Sequence, residues 1–330
     1  MKLTDFDYHL PKELIAQYPL KERDSARLLV LNRKMRTIEH RLFRDILNYL
    51  NKDDLLVLNN TKVLPARLQG VRTTGGKVEI LLLKRRSGLI FAALIKPSRI
   101  KLGEKLIFNG GKTSGIITAK GEITFQAKDI ESVYNLGVMP LPPYIKRNPE
   151  DVDTVYYQTI YANEEGSIAA PTAGLHFTKE LIQNIVSLGL NIAHITLHIS
   201  YSTFKPVKVD DITQHKMEPE YFKIPEESLA FIEKARRAQA RIFAVGTTSL
   251  RVLEAYCLSG QREGYTDLFI YPGYKFNAFS YLLTNFHLPR TTLFMLVCAF
   301  AGTEFIKKAY QEAINRKYRF YSYGDAMLII

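Results

Sequence analysis

Phe243-Ala-Val-Gly246-Thr247-Thr248-Ser249-Leu250-Arg251 reads as a strand running into a glycine, then three hydroxyl residues, then a helix. Free backbone N–H groups at such a helix start bind an anion, and the hydroxyls add donors. An ordinary capped helix has the same look. The stretch matches neither a Walker loop nor a dinucleotide fingerprint, so a carboxylate fits it as well as a phosphate. In open α/β sheets, turns of this kind line the ligand crevice.

Outward from this turn, strands and helices alternate, which indicates an α/β layer architecture. Thr178 is placed to cap a helix through Leu188, with apolar Leu181, Ile182, Ile185 and Val186 on its pattern and Gly189 as terminator. The pattern continues with a strand at 190–199, a helix at 225–240, a strand at 241–245 and a helix at 249–258. It ends with a strand at 267–271 and helices at 292–300 and 304–315.

Residues 65–149 differ from this body. Between 67 and 147 stand 15 Lys and Arg against 5 Asp and Glu, so +10 of the chain's +12 lies in about a quarter of its length. Short β-like runs at 77–83, 89–95, 104–108, 115–118 and 122–126 are separated by turn residues such as Gly75-Gly76 and Asn109-Gly110-Gly111. Regular short strands suggest a small antiparallel barrel. Pro65 opens the segment and Pro140-Leu-Pro-Pro143 closes it, so the expected organisation is an α/β body, 1–64 with 150–330, carrying 65–149 as an insertion. A basic barrel suits a polyanion. Lys84-Arg85-Arg86 and the loop carrying Lys96, Arg99 and Lys101 are the expected phosphate contacts.

The whole chain has 330 residues, 46% hydrophobic and 24% charged, enough apolar surface to exclude disorder. The longest apolar run, 293–301, is far short of the roughly 20 residues a membrane helix needs. Asp5 and Asp7 stand where an apolar signal core would begin. The expectation is a cytoplasmic monomer without membrane association, with Cys257 and Cys298 as reduced core thiols.

Three further constellations carry chemistry. Gly166-Ser-Ile-Ala-Ala-Pro171-Thr172-Ala-Gly174-Leu-His176-Phe177 is dense in small residues, which permits close backbone approach to a flat ligand, or a tight connection. Ala193-His194-Ile-Thr196-Leu-His198 alternates with period two, placing both histidines on one face. No carboxylate or cysteine pattern completes a metal site there, so no metal is expected. Leu283-Thr284-Asn285-Phe286-His287-Leu288-Pro289 reads as a polar ligand loop, and an imidazole suits proton transfer near neutrality. The aromatic tail 318–329 fits either base stacking or a last core strand.

Together these segments resemble the S-adenosylmethionine:tRNA ribosyltransferase-isomerase family of queuosine biosynthesis. The likeness takes in Asp5-Phe-Asp7-Tyr8, Leu14-Ile-Ala16-Gln17-Tyr-Pro19, Arg27-Leu28-Leu29, Leu58-Asn59-Asn60-Thr61-Lys62-Val63-Leu64-Pro65-Ala66-Arg67 and Pro140-Leu-Pro-Pro-Tyr144-Ile. It also takes in Tyr157-Gln158-Thr159, 169–178, 246–251, Pro272-Gly273-Tyr274, 284–289 and 318–327.

The resemblance implies an α/β body with an inserted barrel. It implies an enzyme that consumes S-adenosylmethionine as ribosyl donor and acts on tRNA bearing 7-aminomethyl-7-deazaguanine at the wobble position. The products are epoxyqueuosine-tRNA, adenine and methionine. The sulfonium acidifies the ribose 5′ carbon, a base removes a proton there, adenine leaves, the aminomethyl nitrogen attacks the sugar, and epoxide formation expels methionine.

On this reading His176, His198, His287 and His215 are the proton-transfer candidates. Gly246, Thr247, Thr248, Ser249, Arg251, Pro171, Thr172, Gly174, Thr284 and Asn285 are the expected substrate-binding residues. The chain departs from the family pattern at Ser200 and Ser202, where glycines are usual, at Glu218 for a histidine and at Ser280 for an aspartate. A diverged enzyme with another acceptor, or a non-catalytic RNA-binding protein, is the alternative.

Overall fold

Alternating apolar residues on buried strands divide the body's core in two. Leu55 and Val57 face one cluster, together with Ile242, Ala244 and Leu282, and Leu56 and Leu58 face the other, with Phe243, Val245 and Leu283. Period-two alternation apolar on both faces is the signature of a sheet covered on both sides. On the first face lie the helices Glu226–Arg237, Gly246–Ser259, Thr292–Ala301 and Thr303–Asn315; on the second lies Lys179–Ser187. This computed structural model describes residues 1–204, 206–278 and 280–330, the side chains of Ser202, Phe204 and Ser280 excepted. Of the four family-pattern departures, Ser200 and Glu218 are described in full, whereas the side chains at 202 and 280 lie outside the described residues.

The sheet has nine strands in the order Glu263–Thr266, Glu220–Lys223, Asn191–Leu197, Leu55–Asn59, Ile242–Val245, Ser280–Asn285, Ala326–Ile329, Arg27–Asn32 and Thr37–Leu42. Its four central strands, from Asn191–Leu197 to Ser280–Asn285, are mutually parallel, so their carboxyl ends share one edge. A second sheet closes on itself. Arg67–Arg72 pairs with Lys77–Ser87 and also with Lys105–Phe108, and Ile90–Lys96, Glu122–Gln126 and Thr113–Ala119 complete an antiparallel six-stranded barrel. Its core, built on Leu68, Ile80, Phe91, Phe108 and Ile123, takes in Ile168 and packs against Tyr201 of the body. The fold is therefore mixed α/β with a small barrel, as the sequence pattern indicates.

Local signals explain most element ends. Thr178 Oγ1 accepts from Leu181 N at 3.1 Å, capping the helix, and Gly189 takes the left-handed φ of 87° that ends it. One expected strand is displaced: the paired residues are Glu263–Thr266, not 267–271. The apolar run at 268–270 supplies core contacts, Ile270 being buried, while the hydrogen-bonding edge of Glu220–Lys223 is met by the more polar segment before it. The tail resolves to the core alternative: Tyr318, Tyr321 and Tyr323 are buried and Ala326–Ile329 lies inside the sheet.

Candidate active site

The shared edge of the four parallel strands is where polar residues gather. Asn59-Asn60-Thr61, His198, the Gly246 turn and Thr284-Asn285 each sit at or just beyond the carboxyl end of a strand. Crevices for ligands form at this edge in open α/β sheets.

One cavity lies there. Its walls come from Ala170, Pro171, Thr172, Ala173, Ile199, Thr203, Gly246, Thr247, Thr248, Thr284, His287 and Leu293. Seven of the residues expected to bind or react are thereby brought together: Pro171, Thr172, Gly246, Thr247, Thr248, Thr284 and His287. The walls leave about 40 Å³, whereas small-molecule sites hold about 300–1,000 Å³. A nucleoside enters only if a wall yields.

The Gly246 turn is built as the sequence suggests. Gly246 has φ 88° at the first position of the helix Gly246–Ser259, and a Cβ there would stand 3.2 Å from Thr248 Oγ1. No side chain among the described residues caps this helix, so its first N–H groups are left open at the cavity end of the strand. Thr248 Oγ1 is buried without a hydrogen-bond partner among the described residues, which is costly unless a ligand supplies one. Ser249 is different: its hydroxyl donates to Val245 O at 2.8 Å and is spent on the helix.

His287 is held on three sides. Its Nε2 lies 2.9 Å from Thr284 Oγ1, its N–H donates to Tyr310 Oη at 3.0 Å, and its carbonyl accepts from the Tyr8 hydroxyl. Burial pushes the imidazole down to about 3, so it is neutral at physiological pH.

The other three histidines lie elsewhere. His176 stacks on Phe43 at 4.8 Å, sits 3.2 Å from Asn285 Nδ2 and lines a separate small crevice with Arg23 and Tyr323. Burial lowers it to about 4. His198 bonds Thr61 Oγ1 through Nδ1 at 2.8 Å and stacks on Tyr221. His215 lies edge-on to Phe269, 5.1 Å away. Burial lowers both of these rings as well.

Arg251 does not face the cavity as a free cation. It is buried and ion-paired with Glu220, and its Nε donates to Leu268 O at 3.1 Å. Glu220 in turn accepts from Ser200 N at 2.7 Å and Thr203 Oγ1 at 2.8 Å. The pair therefore anchors the 199–203 wall of the cavity. Ser200 is not among the residues with positive φ, so no left-handed backbone demands glycine there.

Removing one partner of a buried ion pair costs about 3–5 kcal/mol. Arg251→Met is expected to lower the urea midpoint accordingly. The double variant R251M/E220Q should regain part of the loss, because no charge stays buried and the amide oxygen still accepts from Ser200 N. A double variant no more stable than R251M would refute this account of the wall.

Gly174 also has a structural explanation. A Cβ there would stand 2.1 Å from the Tyr161 hydroxyl, so the space is filled by this chain's own side chain. The expected phosphate contacts are all exposed but divide in two. Glu79 pairs with Lys96 and Lys84 with Ala92 on one hairpin, and five residues at about 3.4 Å each put the groups about 17 Å apart.

Sequence reasoning missed Thr61, Tyr8, Tyr310 and Glu220 as positioning groups. A signal existed for Thr61: Asn59-Asn60-Thr61 follows an apolar strand just as the Gly246 turn and Thr284-Asn285 do.

Comparison with known proteins gives the family. The sequence model of the family described as "Queuosine biosynthesis protein" matches residues 3–329. The S-adenosylmethionine:tRNA ribosyltransferase-isomerase of Sulfurihydrogenibium sp. (strain YO3AOP1) is 54% identical over 336 residues, covering 100% of both chains. That of Carboxydothermus hydrogenoformans is 52% identical over 340 residues, again covering 100% of both. The crystal structure of S-adenosylmethionine tRNA ribosyltransferase from Thermotoga maritima matches with a TM-score of 0.58 at 38% identity, over 99% of this chain and 100% of that one. With a match from end to end and relatives above half identity, the chain belongs to the queuosine biosynthesis protein family.

Proposed function

We propose that this protein is a tRNA-modifying transferase-isomerase. It moves the ribosyl part of S-adenosylmethionine onto 7-aminomethyl-7-deazaguanine at the tRNA wobble position and releases adenine and methionine. The observation that carries this reading is the cavity at the carboxyl ends of the parallel strands, where a helix N-terminus and a Thr248 hydroxyl, both without a side-chain partner among the described residues, converge with neutral His287. The names borne by relatives matched over their full length support it.

Each residue has a task on this reading. The N–H groups at Gly246–Ser259 and the Thr247 and Thr248 hydroxyls bind the donor's carboxylate or a tRNA phosphate. His287 takes the proton from the sulfonium-acidified ribose 5′ carbon, its ring orientation fixed by Thr284. Among the four candidate histidines it alone lines the cavity, which is why we assign it the role. The barrel, residues 65–149, serves as an inserted tRNA-binding unit on a body of 1–64 and 150–330. Its sheet closes without any strand of the body, and it carries most of the excess positive charge. No helix among the described residues is long and apolar enough to cross a membrane.

The test is product release. Purified protein with S-adenosylmethionine and tRNA bearing the aminomethyl-deazaguanine base should yield adenine and methionine, and unmodified tRNA should yield neither. Release from neither tRNA by a protein that still binds both would favour a non-catalytic RNA-binding role.

A further inference from the structure

The strand Glu263–Thr266 forms one end of the nine-stranded sheet, and a row of rings runs inward from it. Tyr265 is 60% exposed. It is registered directly opposite Tyr221, the two rings meeting edge-on at 5.8 Å. Tyr221 stacks on His198 at 5.4 Å with 24° between the planes. The row is rigid: Tyr221 Oη donates to Glu263 at 2.7 Å, His198 N–H donates to Tyr221 O at 3.0 Å, and the His198 ring is fixed by Thr61. Its outer end meets the barrel, where Lys84 Nζ stands 5.2 Å from the Tyr265 ring centre.

We propose that Tyr265, backed by Tyr221 and His198, is a stacking platform for an unpaired base of the tRNA substrate, with Lys84 taking the neighbouring phosphate. This rests on the tRNA-modifying reading above. An exposed aromatic ring preorganised beside a cation is the pairing that single-stranded nucleic acid uses, because every base has a π-face and every nucleotide a phosphate. Charge complementarity points the same way: Lys84 adjoins exposed Arg85 and Arg86 on a segment with a net charge of +10. The platform is also joined to the cavity through the chain. His198 precedes Ile199, which is a cavity wall, so one strand end carries the inner end of the row and a wall of the donor site. His198 is then a positioning residue for tRNA and not a proton carrier.

The experiment compares wild type with Tyr265→Ala, Tyr265→Phe and Lys84→Ala. It measures tRNA affinity at several salt concentrations, the KM for S-adenosylmethionine and adenine release. Stacking of one base corresponds to about a 5- to 150-fold change in affinity. Y265A should weaken tRNA binding by that order with the KM for S-adenosylmethionine and the unfolding temperature unchanged, since Tyr265 is exposed. Y265F should stay close to wild type, and K84A should lower the salt slope by about one. The proposal is overturned if Y265A binds tRNA as wild type does, or if its loss is matched by a rise in the KM for S-adenosylmethionine. Wild type that binds tRNA but releases no adenine overturns the proposed reaction instead, and the Y265A–Y265F contrast in binding still decides the platform.

Discussion

Replacing His287 with glutamine is expected to slow adenine release about 10²- to 10⁴-fold, the usual contribution of a positioned proton-transfer group, with little change in the KM for S-adenosylmethionine. Glutamine is close to imidazole in size and keeps a polar terminus toward Thr284, so the cavity wall survives while the lone pair able to take a proton does not. Thr284 holds the ring, while Tyr310 and Tyr8 hold the backbone N–H and carbonyl of His287, so Thr284→Val should lower kcat by a smaller factor without removing the imidazole. The pH profile adds a second check. A histidine lowered to about 3 is already neutral throughout the range from pH 5 to 8, so no limb of kcat/KM in that range should belong to His287. Activity in H287Q within threefold of wild type would remove His287 from the mechanism. His176 would then be next in line, because burial also keeps it neutral and Asn285 joins it to the loop that carries His287.

How much of this site was legible beforehand depends on whether a feature is local. The Gly246 turn and the Thr284–His287 loop announce themselves because polar side chains follow directly on apolar strands, and parallel strands bring such junctions to one edge. Barrel strands were readable from their turns. What stayed hidden depends on pairing across long separations. Arg251 follows a run of anion-binding residues and looks like one of them, and only the fold brings Glu220 against it. His198 reads as site lining, but its ring stacks on Tyr221, and the register of two short strands sets Tyr265 beyond that. Period-two alternation correctly separates His194 and His198 from the apolar face, yet it says nothing about which cavity that face meets. Gly174 looked like ligand space because glycine is blind to what fills the gap, here Tyr161.

Acid should destabilise this protein well above the pH at which carboxylates titrate. His176 and His287 are both buried, with rings lowered from an ordinary 6.5 to about 4 and about 3. Unfolded, each ring binds a proton below pH 6.5 that the folded state refuses, so the unfolded chain holds more protons and stability falls as pH falls. The contribution is fully present above 6.5 and is lost progressively toward the folded values. Between pH 6 and 5 each histidine costs about 1.2 kcal/mol and the two together about 2.4, an upper figure if the native state relaxes to hydrate them.

Carboxylates act lower. Asp153 is burdened by burial, but its hydrogen bonds from Arg147 hold it below its usual 3.8, so its loss begins only near pH 4. The half-buried His194, His198 and His215 are lowered too and add smaller amounts in the same window. Urea unfolding at pH 7.5, 6.0 and 5.0 should therefore show a steep decline in wild type. H287Q should lose about 1.2 kcal/mol less than wild type between pH 6.0 and 5.0, whatever its stability at pH 7.5. Parallel slopes in the two proteins would mean that His287 is protonated in the folded state at pH 5. Its environment would then be wetter than a cavity of about 40 Å³ suggests, and the imidazole would enter the reaction able to carry charge.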